Sequence, residues 1–132
     1  MRKETWSVDL FDFIKSRKNT PFKWGSHDCT LFAADCVKVM TDRDPAKGYR
    51  NYRSKNGAAL IVGKQGGLRN FVTFIMGSEI LPTMAQRGDI VLLKQNDDLA
   101  IGICLGNVIS ATSKLGLVSV PMSEAITAWR VE

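Results

Sequence analysis

Apolar residues recur at helical spacing through the N-terminal half of the chain and gather into short runs through the C-terminal half. The clearest stripe starts at Cys29 and continues through Phe32, Ala33, Cys36, Val37 and Met40, which lie on one face of an α-helix. It predicts a helix from about Asp28 to Met40, with Asp28 or Ser26 able to cap its first turn. An earlier helix is expected from Trp6-Ser7-Val8-Asp9. Ser7 can cap it, Trp6 can staple onto Phe11, Val8, Leu10, Phe11 and Ile14 form its apolar face, and Asn19-Thr20-Pro21 ends it. Ala58 to Val62 reads as a short helix closed by Gly63, and Leu68 to Met76 as another that follows Gly66-Gly67.

Beyond Arg87-Gly88 the period changes. Asp89 to Leu93 is a continuous apolar strand, Asn96-Asp97-Asp98 a turn, and Ala100 to Leu105 a second strand. Gly106-Asn107 signals a hairpin into Val108 to Thr112, and Leu117 to Val120 follows the break at Gly116. A short helix at Ser123 to Ile126 and an extended Ala128 to Val131 complete the chain. Helices first and an antiparallel meander second make an α+β fold in one domain spanning residues 1–132.

Composition changes this picture little. A chain of 132 residues can bury a core without metal or disulfide staples. No run is long enough to span a membrane and no signal-peptide core follows the start; the odd number of cysteines, within apolar patterns, is what makes synthesis in a cytoplasm the expectation. Three cysteines, Cys29, Cys36 and Cys104, sit within apolar patterns and read as reduced thiols. With no CxxC and His27 the only histidine, no metal site is expected, and no cofactor motif is present. The net charge of +5 is moderate. Its densest stretch, Arg43 to Lys55, interleaves Tyr49, Arg50, Tyr52 and Arg53 in an irregular loop. Such residues can stack on bases, but the stretch is short, and a solvated loop or one docking on another protein fits it better than nucleic-acid binding.

Cys29 carries the candidate chemistry. In the first turn of its helix a thiol meets the positive end of the helix dipole and free N–H groups, which favour the thiolate. Asp28 next to it opposes that charge. The alternative is that Cys29 simply begins the buried stripe. His27, two residues away, is the one imidazole that chain geometry brings near it, while Asp89 reads as a structural cap at the turn into its strand.

Three blocks resemble the NlpC/P60 peptidases, whose fold is papain-like. Trp24-Gly25 through Asp28-Cys29-Thr30-Leu31 is similar to the family's nucleophile motif. Ala85 to Leu92 is similar to its glycine-aspartate block, and Ile101-Gly102-Ile103 through Asn107 to its histidine-bearing strand. More narrowly the chain resembles small NlpC/P60-related proteins of phage and prophage tail gene clusters. That likeness rests on Trp24 to Cys29, Thr41 to Pro45, Ala85 to Asp89 and Ala128 to Val131. The resemblance implies a nucleophile at Cys29, supported by Trp24 and Asp28, and a third polar residue near Ser110. Where the family carries its general-base histidine, this chain has Ala100. Without that base a cysteine peptidase loses several orders of magnitude in rate. Two roles follow. One is a degenerate domain assembled with other tail proteins, at the tail tip or hub, in the virion tail. The other is an atypical cysteine peptidase or amidase acting on peptidoglycan peptide, with Cys29 as nucleophile and His27 as base.

Overall fold

The computed structural model describes residues 1–132. Four helices, α1 (Trp6–Arg17), α2 (Cys29–Thr41), α3 (Lys55–Gly63) and α4 (Leu68–Met76), precede the sheet. Strands β1 (Glu79–Ile80), β2 (Ile90–Gln95), β3 (Asp98–Cys104), β4 (Val108–Ser113), β5 (Gly116–Pro121) and β6 (Thr127–Trp129) form one antiparallel sheet, ordered β1-β6-β2-β3-β4-β5. No helix is long and apolar enough to cross a membrane.

The stripe read from the sequence is the face that α2 buries: Phe32, Ala33, Cys36, Val37 and Met40 are all in the core, and Cys29 is half-buried at its start. α2 packs on the sheet face formed by Ile90, Leu92, Ile101, Ile103 and Trp129. The other face, Val91, Leu93, Ala100, Cys104, Ile109 and Ala128, closes a second cluster under Ile80, Val120 and Met122. Both faces are covered, which is why β2 reads as a continuous apolar run instead of an alternating one. Gly102 keeps β3 and β4 close, since a Cβ there would stand 2.6 Å from the Ser110 carbonyl oxygen.

α1 departs from expectation. Val8 and Phe11 are 62% and 58% exposed, and the buried face is Trp6, Leu10, Phe13 and Ile14. Ser7 does not cap the helix: Trp6 is already helical, and Thr5 holds Asp9 through a 2.7 Å hydrogen bond. Trp6 is not a staple either, because the Arg2 guanidinium lies 4.2 Å above its ring. The short helix expected at Ser123 is a 3-10 turn over Met122–Glu124. The unforeseen β1 pairs with β6, so the C-terminal strand lies inside the sheet between β1 and β2.

Asp89, fully buried, ties both chain ends to the start of β2. It accepts from Arg2 Nη2 at 2.9 Å, from the Gln86 N–H at 2.9 Å and from the Val131 N–H at 3.0 Å, with Arg130 Nε at 3.2 Å. These are charge-assisted bonds in a dry setting, the kind that is costly to leave half made.

Candidate functional site

The turn before α2 is built around one carboxylate. Asp28 is extended, so its backbone sits outside the helix while its Oδ1 accepts the Leu31 N–H at 2.9 Å, an N-cap bond. Oδ2 accepts the Gly25 N–H at 3.0 Å and the Tyr52 hydroxyl at 2.6 Å. Backbone bonds in both directions between Lys23 and His27 close the turn, with Trp24, Gly25 and Ser26 at its tip. Gly25 has φ +81°, and a Cβ there would run into the Tyr52 carbonyl, so no side chain fits at that position of the Trp-Gly motif. Burial and the hydrogen bond to Asp28 together push the Tyr52 hydroxyl well above the ordinary tyrosine range.

Cys29 therefore stands where the sequence places it, on the first turn of α2. Its surroundings do not activate it. Burial pushes the thiol above its ordinary range and the Asp28 charge adds to that; hydrogen bonds with the Ile101 backbone and with Thr30 offset only part of the rise. The Thr30 hydroxyl, 3.9 Å from Sγ, is its one side-chain partner. A helix N-terminus lowers a thiol's pKa, but here desolvation outweighs it.

His27 is turned elsewhere. Its ring is buried against Phe32, at 5.6 Å between centroids, and Nδ1 lies 3.1 Å from Arg17 Nη1. Arginine only donates, so Nδ1 accepts and the ring proton sits on Nε2, which has no partner and no access to solvent. Burial first, and the Arg17 charge second, lower the pKa of His27 and keep it neutral. No hydrogen bond joins it to Cys29. Arg17 continues to Asp35 at 3.6 Å, and Asp35 accepts from Arg50 at 2.8 Å. His27 thus begins a structural network instead of completing a catalytic pair.

A groove of about 580 Å³ opens above Cys29. Cys29, Ala100 and Thr112 line it together, with Phe22 and Trp24 packed edge to face at 4.8 Å on one wall and Leu99 and Leu115 at its rim. Ala100 shares this groove with the thiol and brings no imidazole to it. Thr112 is the polar residue of β4 beside it, and Gln95, Asn96, Asp98, Ser113 and Lys114 supply the groove's other polar lining. Ser110, the residue expected there, faces a different depression between α1 and β5, because residues two apart on a strand share a face yet reach opposite ends of this one.

The Tyr49 to Arg53 stretch is not the solvated loop that the sequence suggests. Tyr49 packs edge to face on Phe71 at 5.2 Å, Arg50 binds Asp44 and Asp35, and Tyr52 is buried on Asp28. Asn51 and Arg53 are the exposed residues of the stretch, and Arg53 has no ion-pair partner. The carboxylate partners hold Arg50 above its ordinary range, and the Arg50 guanidinium in turn holds Asp44 below the usual carboxylate range. This stretch fastens the Cys29 turn to α2. Sequence reading missed Tyr52 as the partner of Asp28; the one available signal was an aromatic hydroxyl within a stretch otherwise taken for surface. No cluster of histidine, cysteine and carboxylate side chains capable of holding a metal is formed.

The architecture matches that of RipD from Mycobacterium tuberculosis, a non-catalytic NlpC/p60 domain protein with an adaptation to peptidoglycan-binding function. The TM-score is 0.51 over 98% of this chain and 100% of that one, at 13% sequence identity. What the two share at that identity is the NlpC/P60 fold. No curated protein matches the sequence. A family model does, over residues 1–131, and the chain belongs to that family, described as a domain of unknown function, DUF6950.

Proposed function

We propose that this protein is a non-catalytic NlpC/P60-fold domain, serving as a binding and assembly component of a phage or prophage tail. The observation that carries the non-catalytic reading is the absence of an imidazole from the groove: Cys29 shares it with Ala100, Thr112, Asp98 and Lys114, and the chain's single histidine is buried on Arg17. Cysteine peptidases need a base that takes the thiol proton and returns it to the leaving amine. No imidazole is placed to do so, which disfavours the peptidase reading. The groove itself is intact, with an aromatic wall and an apolar rim suited to holding a ligand. Peptidoglycan peptide is the ligand class we propose for it, in line with the binding function of RipD. The tail assignment rests on the likeness of four sequence blocks to small tail-cluster proteins, and virion tail is the location it implies.

Complementation tests both parts. In a phage lacking this gene, we expect defective tails by electron microscopy and normal tails once Cys29→Ala protein is supplied. Normal tails in the deletion overturn the assembly role. Failure of folded Cys29→Ala protein to restore them overturns the non-catalytic role. Co-sedimentation with peptidoglycan sacculi should retain the Cys29→Ala variant and lose Trp24→Ala.

A further inference from the structure

β5 is an outer strand of the sheet, and its middle, around Ser119, lacks the usual protections. Its six residues, Gly116 to Pro121, carry no charge, and Pro121 alone interrupts donation at its end. Edge strands normally carry lysines, bulges or covering segments that prevent pairing with another chain. The first part of this edge is covered: the Leu117 N–H points away from β4 and donates to the Lys18 carbonyl at 2.9 Å. Strand groups alternate, so the N–H and C=O of Ser119 point the same way as those of Leu117, and the Ser119 amide meets no turn or loop carbonyl.

Next to this edge, over the β4–β5 face that Ser110 and Ser119 share, lies a depression of about 490 Å³ between α1 and the sheet. Phe11, 58% exposed, and Val118, 39% exposed, contribute apolar surface to it. Its charged lining residues are Lys15, Lys18 and Arg87, none in an ion pair, and no carboxylate lines it. α1 leaves Phe11 in solvent at the place where an open strand edge and three unpaired cations converge.

We infer that the β5 edge is a docking site for an extended acidic segment of a partner protein, which adds a strand beside Ser119 and sets carboxylates against Lys15, Lys18 and Arg87. Main-chain bonds supply strand addition with affinity, and side-chain pockets supply its specificity. A second copy of this chain is the poorer occupant. An isologous edge-to-edge pair would bring two sets of these cations together, on a protein already at +5. The site is separate from the groove over Cys29, and the inference does not depend on what that groove binds.

Fluorescence anisotropy with two labelled octapeptides, one alternating valine with aspartate and one alternating valine with lysine, tests it. The acidic peptide should bind and the basic one should not. Ser119→Pro removes an outward N–H while leaving the β4 ladder intact, and should weaken binding about tenfold, the effect of one lost backbone hydrogen bond. Lys15→Glu/Lys18→Glu should weaken it at least as much, and Trp24→Ala should leave it unchanged. Circular dichroism and unfolding curves establish that each variant is folded. No binding of the acidic peptide at millimolar concentration overturns the inference. So does binding that is indifferent to Ser119→Pro, which would mean charge attraction without strand addition. A protein that sediments as a dimer and becomes monomeric on Ser119→Pro assigns the edge to a second copy and equally overturns it.

Discussion

The turn that leads into α2 has two sides, and they differ in what their polar groups do. On the inner side every ionisable group has a structural task. Asp28 closes the turn and holds Tyr52, His27 accepts from Arg17, and Arg17, Asp35, Arg50 and Asp44 continue as a ladder of charges. On the groove side stand a thiol raised by burial, a methyl group at Ala100 and the Thr112 hydroxyl, with Asp98 and Lys114 also in the lining and no ion pair joining them. A cysteine at a helix N-terminus is thus only half of a nucleophilic site. The other half is a base on the far wall, and here the single histidine is committed to the inner side. The geometry of the turn into α2 is held by Asp28, Tyr52 and His27, none of which lines the groove.

If that division is right, inner-side substitutions change stability and groove-side ones do not. The largest effect is expected for Asp28→Ala, which removes the α2 cap and strands the Tyr52 hydroxyl and the Gly25 N–H. Losing a cap and leaving buried donors unpaired should together cost about 2–4 kcal/mol, read from urea unfolding. A cost indistinguishable from zero would break the comparison at its strongest point. Tyr52→Phe leaves the cap in place and removes one short bond to the carboxylate, so a loss of about 1–2 kcal/mol is expected in the same assay.

His27 supplies a pH-dependent version of the same contrast. Its pKa is lowered in the folded state, so the unfolded chain binds the proton more readily. Its contribution is therefore fully present above the unfolded value of about 6.5 and is lost as pH falls from there toward the lower folded value. Stability should decline from neutral pH to pH 5 in the wild-type protein and much less in His27→Gln. Equal slopes would mean that His27 is not held neutral by its burial and by Arg17. Asp44 and Glu79, held below the usual carboxylate range by Arg50 and Arg69, lose their contributions only at lower pH, as it falls through the carboxylate range. The smallest effects belong to the groove: Cys29→Ala and Thr112→Val should each alter stability by less than about 1 kcal/mol. A larger loss at Thr112 would show that the groove wall, like the inner side, is under structural strain or holds an ordered partner.

How far this was legible in the sequence follows the same division. α2 was plain because its apolar positions, from Phe32 to Met40, fall on one face, and α4 because Gly66-Gly67 breaks the chain just before it. α1 was misread on its face, though not in its existence. Apolar residues stand on both of its sides, Val8 and Phe11 on one and Trp6 and Phe13 on the other, and only the position of α2 decides between them. β1 is too short to show a period, and the insertion of β6 beside β2 depends on long-range pairing that local patterns do not encode. In the site, Cys29 and the absence of histidine at Ala100 were both readable. The partnership of His27 with Arg17 was not, because proximity in sequence says nothing about which way a ring turns. Thr112 took the place expected of Ser110 for a related reason: strand alternation specifies the face but not how far along the groove a residue sits.

The most direct test of the central claim is the pH dependence of Cys29 alkylation in the native protein and in His27→Ala. Cys36 and Cys104 are fully buried, so the native-state reaction reports on Cys29. The account predicts slow alkylation that rises only above the ordinary thiol range of about 8.5, with the same titration in both proteins. A thiolate titrating below that range in the native protein, and shifted upward on removal of His27, would contradict it and make Cys29 an activated nucleophile.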